Sequence, residues 1–491
     1  MSATLVWFRA DLRLHDNPAL WHALSTAGSR KSPLLAIFCL TPQQWLDHDQ
    51  GPNQLNFLLR NLASLRQDLL ELNIPLKLIH AATFAELPSQ LARFCREYQV
   101  EELFYNEEYQ WNERQRDQAV HEQLQMQGVQ LHSYQDQVLF TPGRLLTGKG
   151  DYYTVFTPFY RQWIQRLDAS DLQPLPKPPA QAATAWEADP LPESLTELGL
   201  DSGNTNIQQL WPAGETAALE QLAAFCEQSL HRYKELRDFP ALEATSRLSP
   251  ALAQGLISPR QALTAVWQAT QGRLTDKESG AGTWVAELVW REFYRHLQIG
   301  FPRVSRGRAF KTPTEKLAWR SLQEDRVQED LEAWKAGQTG FPLVDAAMRQ
   351  LQQTGWMHNR LRMLTAMFLS KHLLIDWRIG EAYFMQQLID ADLASNNGGW
   401  QWAASTGTDA VPYFRLFNPY RQSERFDPQG DFIRRYLPEL KQLQGKAIHQ
   451  PPVHKNRSDL FAETGDYPPP RVDLKAARER VLAAFEAIKP S

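Results

Sequence analysis

Over the first 135 residues, short apolar runs alternate with longer segments in which leucine recurs every three or four positions. The runs "TLVWF" at 4–8, "PLLAIFCL" at 33–40, "PLKLIHA" at 75–81, "ELFYN" at 102–106 and "VQLHSY" at 129–134 read as strands. Between them, "QLNFLLRNLASLRQDLLEL" has the spacing of an amphipathic helix that covers one face of a sheet. Strand and helix in alternation predict a parallel, doubly wound α/β sheet. From about 136 to 207 the periodicity decays into "LQPLPKPPAQAATAWEADPLPESL", whose proline and alanine suit an interdomain connection. From about 208 onward helical spacing dominates and no strand of any length is apparent. Start signals there include Ser258-Pro259 before "RQALTAVW" and Asp330 before "LEAWKAG". The pattern therefore predicts an α/β domain over 1–135, a linker over 136–207 and a larger all-α domain over 208–491. No G-x-G-x-x-G follows the first strand, so a ligand of the first domain is expected at the carboxyl ends of the strands without a glycine loop.

Composition narrows this picture. A chain of 491 residues, 43% apolar and 22% charged, exceeds one ordinary core and divides into at least two domains. The N-terminus meets Arg and Asp before a signal-like run develops, and nowhere do roughly 18 apolar residues run without a charge. A cytoplasmic protein without a membrane segment is expected. Cys39, Cys95 and Cys226 lie far apart and form no C-x-x-C pair, which argues against a disulfide framework or a cysteine zinc site. The formal net charge of -4 is at odds with a uniformly cationic coat but leaves room for a local basic face. The 16 tryptophans, taken one at a time, are most simply packing volume.

Candidate chemistry concentrates in the helical part. In "AELVWREFYRHLQIGFPRVSRGRAFK", Glu287 and Trp290 fall on one helix face, a carboxylate beside a ring able to stack on a base. Arg291, Arg295, Arg303, Arg306, Arg308 and Lys311 oppose one acid, Glu292, and form a patch that could track phosphates, or else a solvated basic face. In "GWMHNRLRMLTAMFL", Asn359 and Met363 are one turn apart and pair an amide with a soft thioether. Arg360 and Arg362 point elsewhere on that helix, one toward phosphate and the other toward an internal carboxylate. His358 is a tempting catalyst, yet a lone histidine in a packed helix is more often structural. In "TSRLSPAL", three hydroxyls, Arg247 and a Ser249-Pro250 helix start offer a site for pyrophosphate, although such caps commonly only start helices.

Taken together, "WFRADLRLHDNPAL", "RDFPALEATSRLSPAL", "ELVWREFYRHL", "GFPLVDAAMRQLQQTGWMHNRLRM", "LIDWRIGEAYF", "DADLASNNGGWQWAASTGTD" and "FNPYRQ" resemble the photolyase and cryptochrome family. The likeness is to its class I cyclobutane pyrimidine dimer photolyases of the bacterial, folate-using branch, and it spans nearly the whole chain in order. It implies an N-terminal antenna domain, a helical domain holding FAD, and light-driven repair of a flipped-out dimer in UV-damaged DNA. By position, it places FAD contacts at Tyr233, Thr245, Ser246, Arg247, Leu248, Ser249, Asp390, Ala391, Asp392 and Asn396, with Asn396 near flavin N5. Arg362 and Asp390 correspond to an ion pair beside the flavin ring. Glu287, Trp290, Asn359 and Met363 would meet the lesion, and Arg237, Arg360, Arg415 and Gln422 match DNA-contact positions. Trp400, Trp377 and Trp319 match an electron-transfer chain from flavin to surface, while Trp402 matches a ring lining the lesion pocket. Contacts for a methenyltetrahydrofolate antenna map to His48, Asn112 and Glu113. Two further folate positions carry Ser305 and Arg306, where related bacterial enzymes can have Cys and Lys. This departure leaves an empty or different antenna site as the alternative.

Other functions are distinguishable. A cryptochrome-like photoreceptor would share the fold and FAD but typically carries a diverged tail, and this chain ends at "VLAAFEAIKPS", which leaves little room for one. An enzyme acting on the 6-4 lesion would be expected to have a second histidine where Asn359 stands. A non-enzymatic DNA-binding module would need the basic patch and Trp290 but not the flavin set. The expected repair enzyme acts as a monomer and needs no metal.

Overall fold

The computed structural model describes residues 2–274, 276–452 and 467–489. By their contacts they form two compact units: Met1–Lys234 with Ser246–Ser305 and Ile389–Ala394, and Glu235–Thr245 with Arg306–Leu388 and Ser395–Ser491.

The first unit is built on five parallel strands, β1 (Ala3–Phe8), β2 (Leu34–Leu40), β3 (Leu76–His80), β4 (Val100–Asn106) and β5 (Gln130–Tyr134), in the order β3-β2-β1-β4-β5. β1 and β2 are buried at every position, which is why they read as continuous apolar runs. The strand order reverses at β1, which makes the carboxyl ends of the strands beside it the expected ligand position in such a sheet. The helix Pro18–Arg30 starts at Asn17, whose side chain accepts from the Leu20 amide, and the leucine-rich segment forms the helix Pro52–Glu71.

The proline-rich stretch 136–207 belongs to the first unit and is tied to its sheet. The Gln181 side chain accepts from the Leu34 amide at 2.8 Å, and Asp189 binds Lys77 Nζ at 2.6 Å and the Leu78 amide at 2.9 Å. The same stretch forms the helix Phe156–Arg166. Among the described residues every strand lies at or before Tyr134, and no helix is long and apolar enough to cross a membrane.

The second unit is helical. Its helices include Asp325–Ala336, Pro342–Thr354, Asn359–Met367, Trp377–Gln387, Pro419–Phe426 and Leu474–Glu486, and a π-turn, Phe368–His372, follows Met367 directly. Trp334, Phe341, Phe368, Trp377 and Trp400 are among its most deeply buried side chains. Ser258 caps the helix Pro259–Ala269 with a complete capping box, as its sequence suggests. Asp330 does not start a helix. The helix begins at Asp325, and Asp330 lies inside it, buried, taking an ion pair from Arg320 at 3.0 Å. The paired glycines at 398 and 399 fall within a regular helix, Leu393–Ala404, so they mark no flexible segment.

Candidate functional site

Five groups of candidate residues can be located within the two units. On the helix Gly280–Gly300, Glu287 and Trp290 are both half-buried. The Trp290 ring stacks on Phe156 at 3.7 Å and 7°, and Phe293 meets it edge-on at 5.7 Å. Phe156 thus covers one π-face, which leaves stacking on a nucleobase to the opposite face alone. Sequence reasoning missed Phe156 because it belongs to the stretch read as a linker. The expected basic patch is not one surface. Arg291 donates to the carbonyls of Gln137 (2.6 Å) and Leu252 (3.0 Å), and Arg295, 1% exposed, pairs with Asp392 at 2.6 Å. Only Arg306, Arg308 and Lys311 of the six are exposed. Glu292 is also internal: it accepts from the Leu139 and Phe140 amides and from Trp163 Nε1, and burial pushes its carboxyl up to about 7.

The flavin candidates are distributed over both units. Tyr233 is buried edge-on to Phe225 at 5.8 Å. Arg247 has φ 50° and Leu248 φ −85°, ψ 0°, a left-then-right pair of the kind from which anion-binding nests of consecutive N–H groups are built. Holding a non-glycine residue in that region costs about 1 kcal/mol or more. The nest is braced: Ser246 Oγ accepts from Trp284 Nε1 at 3.2 Å, its carbonyl accepts from Gln221 at 2.8 Å, and the Arg247 guanidinium lies 4.6 Å over Trp211. Thr245 and Ser246 are half-buried and Ser249 is exposed. Ser249 is the first residue of a five-residue helix, and Leu248, which makes no side-chain bond, holds the capping position. Asp390 is buried, and the Ala391 carbonyl accepts from Gln54 at 2.8 Å. In the second unit, half-buried Arg362 donates through Nε to the Met357 carbonyl at 2.8 Å. Asn396 Nδ2 donates to the Glu381 carbonyl at 3.0 Å, which fixes the orientation of its amide. Behind it, Asn397 and Gln401 extend a line of side-chain amides to the Phe310 amide. Hydroxyls, a nest, buried carboxylates and an oriented amide are the donor and acceptor set that a flavin dinucleotide requires.

The indole candidates follow a gradient of exposure. Trp400 is 2% and Trp377 1% exposed, whereas Trp319 is half-buried against Leu317, Leu374, Val481 and Phe485. Phe384 and Trp334 meet Trp400 edge-on at 5.0 and 6.1 Å. Gly380 permits that packing, since a Cβ there would lie 2.1 Å from the Trp400 ring. Trp400 Nε1 is buried without a hydrogen-bond partner among the described residues. Trp402 is half-buried.

Of the DNA-contact candidates of the second unit, Asn359 and Arg360 lie at the start of the Asn359–Met367 helix. His358 is its N-cap and accepts from the Arg360 amide at 3.2 Å. Its Nε2 is buried without a hydrogen-bond partner among the described residues, and burial drives its pKa down to about 4. His358 is therefore a neutral structural cap. Arg360 pairs with Asp238 at 2.7 Å and lies 4.6 Å over Phe426, the last residue of the helix that carries half-buried Gln422. Asn359 is exposed at the first helical position, Met363 is half-buried one turn on, and Arg415 is exposed.

In the first unit, a cavity of about 750 Å³, including its solvent-open mouth, lies at the carboxyl ends of β1 and β2 and is lined by Trp7, Phe38, Cys39, Trp45, His48 and Glu113 among others. The structure brings His48, Asn112 and Glu113 together. Asn112 Nδ2 (2.8 Å) and Gln44 Nε2 (2.9 Å) both approach His48 Nε2, and Glu113 Oε1 is 3.4 Å from Nδ1. Two amide donors on Nε2 assign the imidazole proton to Nδ1. Burial lowers the His48 pKa and raises Glu113 to about 7. Ser305 Oγ is buried without a partner among the described residues, and Arg306 is exposed.

A doubly wound α/β unit and a helical unit bearing buried indoles and oriented amides recur together in known proteins. Residues 4–180 match the sequence family described as DNA photolyase, and residues 284–487 match the FAD binding domain of DNA photolyase. A deoxyribodipyrimidine photo-lyase from Salmonella typhimurium is 46% identical over 491 residues, covering 100% of this chain and 99% of its own. That from Escherichia coli is 45% identical over the same shares. Among solved structures, a bacterial class III photolyase from Agrobacterium tumefaciens superposes with a TM-score of 0.86 at 36% identity, covering 100% of this chain and 98% of its own. A Synechocystis cryptochrome gives 0.81 at 30%, covering 99% of each. The chain belongs to the DNA photolyase family.

Proposed function

We propose that this protein repairs cyclobutane pyrimidine dimers in DNA with light, using FAD held in its reduced form. The observation that carries the reading is Trp290, a half-buried ring with one face stacked on Phe156 and a carboxylate, Glu287, three residues away. The opposite face suits a dinucleotide taken out of the helix, and a dimer is the cheapest to extrude because its pairing and stacking are already weakened. The full-length kinship to named photo-lyases supports the same conclusion.

The chemistry FAD supplies when bound is the light-driven loan of one electron, which splits the cyclobutane ring and is then returned. The protein's own residues do the rest. The nest at Arg247–Leu248 with Thr245, Ser246 and Ser249 would hold the pyrophosphate, and Tyr233, Asp390, Ala391 and Asp392 the remaining polar edges. Arg362 with Asp390 would balance charge beside the ring. Asn396, its amide nitrogen on the Glu381 carbonyl, is suited to accept an N–H of the reduced ring through its oxygen. Glu287 and Asn359 would bind the base edges, Met363 and Trp402 would pack on the lesion, and Arg237, Arg360, Arg415 and Gln422 would meet the DNA strand. Trp400, Trp377 and Trp319 would form the relay that restores the reduced state. His48, Asn112 and Glu113 support a folate antenna at the first unit. In this reading the protein acts as a monomer in the cytoplasm.

Binding in the dark tests the reading. FAD-loaded protein should prefer a dimer-containing duplex over the intact one, and Trp290→Ala should weaken lesion binding about tenfold or more while FAD stays bound, the scale of one lost base stack. Equal affinity for damaged and intact DNA would sink the reading, and an unaltered variant would remove Trp290 from it.

A further inference from the structure

The segment 412–417 exposes two side chains suited to nucleic acid, Phe414 at 53% and Arg415, and holds the rest of itself unusually tightly. Lys371 Nζ donates to the Arg415 carbonyl at 3.2 Å and lies 3.5 Å from that of Pro412, while His372 Nε2 meets the Phe417 carbonyl at 2.9 Å. From the Leu474–Glu486 helix, Arg478 donates to the Phe414 carbonyl at 3.0 Å. Tyr413 stacks on Phe485 at 5.2 Å and donates to Glu486 at 2.6 Å. Four of the six backbone carbonyls in the segment are therefore held by side chains from elsewhere in the second unit.

Lys371 is the costly part. Its side chain is fully buried, and no carboxylate pairs with it among the described residues. Taking an ammonium out of water for carbonyl partners alone is unfavourable, and an apolar residue of similar length would serve a core better. Its place on the π-turn has a geometric sense. The Leu373 amide bonds to Phe368 five residues back, so the turn contains one residue more than an α-helical turn, and the adjacent residues Lys371 and His372 reach the same segment. Nothing in the candidate flavin or indole sites calls for this arrangement.

We propose that Lys371, His372 and Arg478 are positioning residues that fix the 412–417 loop in the shape that presents Phe414 and Arg415 to damaged DNA. The inference rests on the reading of Arg415 as a DNA contact. A loose loop of this length would have to be ordered on binding at about 1 kcal/mol per residue, and pre-ordering removes that penalty from the affinity.

The test uses the FAD-loaded full chain and a dimer-containing duplex. Lys371→Met should raise the dissociation constant and the half-saturating DNA concentration about tenfold. FAD content, flavin photoreduction and repair at saturating DNA should stay as in the parent protein, a split that general destabilisation does not produce. Arg478→Gln, an exposed substitution that keeps the fold even if Lys371→Met does not, should weaken binding in the same way. Its salt dependence should be unchanged, because Arg478 acts through the loop and not on a phosphate. In a Phe414→Ala, Arg415→Ala background both effects should shrink to about twofold or less. If that double variant binds weakly but Lys371→Met and Arg478→Gln bind like the parent, the positioning role is overturned. If the double variant itself binds like the parent, Arg415 is not a DNA contact and the proposal falls with that reading, whatever the repair activity.

Discussion

Trp400 shows how much one side chain depends on residues the pattern does not flag. Its indole nitrogen is buried without a hydrogen-bond partner among the described residues, so in the proposed relay an oxidised ring there would be refilled by an electron from the next indole and not lose its proton to a neighbour. Half-buried Trp319 lies nearer water, where a proton can leave. The ring itself is seated by Gly380, where a methyl group would sit 2.1 Å from it. Gly380→Ala is expected to cost about 1–3 kcal/mol by overpacking and to slow flavin photoreduction, as Trp400→Phe should, while repair by protein reduced beforehand stays largely intact. Thermal midpoint and photoreduction rate both at the parent value in Gly380→Ala would refute this packing account. "RIGEAYF" displays the glycine in the sequence, but the ring that demands it comes from a helix about 20 residues on, and spacing within one element carries no sign of it.

At the scale of elements, the cap of the Asn359–Met367 helix makes a pH-dependent contribution. His358 must be neutral to accept from the Arg360 amide, and its pKa falls from 6.5 to about 4 on folding. Between those values the unfolded chain takes up a proton that the folded chain does not, so this part of the stability is present above pH 6.5, declines toward about 4, and then levels off. The total is on the order of 3 kcal/mol. His358→Asn keeps a capping acceptor that does not titrate, so its thermal midpoint should fall less steeply over that window. Parallel curves for the two proteins would contradict the assignment. Elements were largely legible in the sequence: the five strands and the Ser258 cap follow from apolar runs and a Ser-Pro start signal. Asp330 was misleading because the residue type that caps helices also pairs with arginine, and Arg320 lies in an irregular segment outside that helix. The π-turn leaves no trace, since one extra residue in an apolar helical stretch barely disturbs its periodicity.

For the whole molecule, resemblance proposed the site classes, and physical patterning alone suggested far fewer. The helical spacing of Glu287 and Trp290 was readable, but the basic patch divided into exposed cations and internal braces, because 291 and 295 share a helix face that turns inward. The proline-rich stretch concealed Phe156 and the ties of Gln181 and Asp189, which depend on backbone partners distant in sequence. The compact units also interleave along the chain, which no local composition change announces. Whether these parts together repair dimers with light is decided by a photochemical assay. FAD-loaded, fully reduced protein is illuminated with blue light in the absence of oxygen on an oligonucleotide containing a single cyclobutane dimer, and the dimer is quantified against a dark control. The account predicts that the dimer disappears and the two intact pyrimidines return only in the light. Dimers that persist under illumination while FAD remains bound and reduced would contradict it and favour a photoreceptor on the same fold.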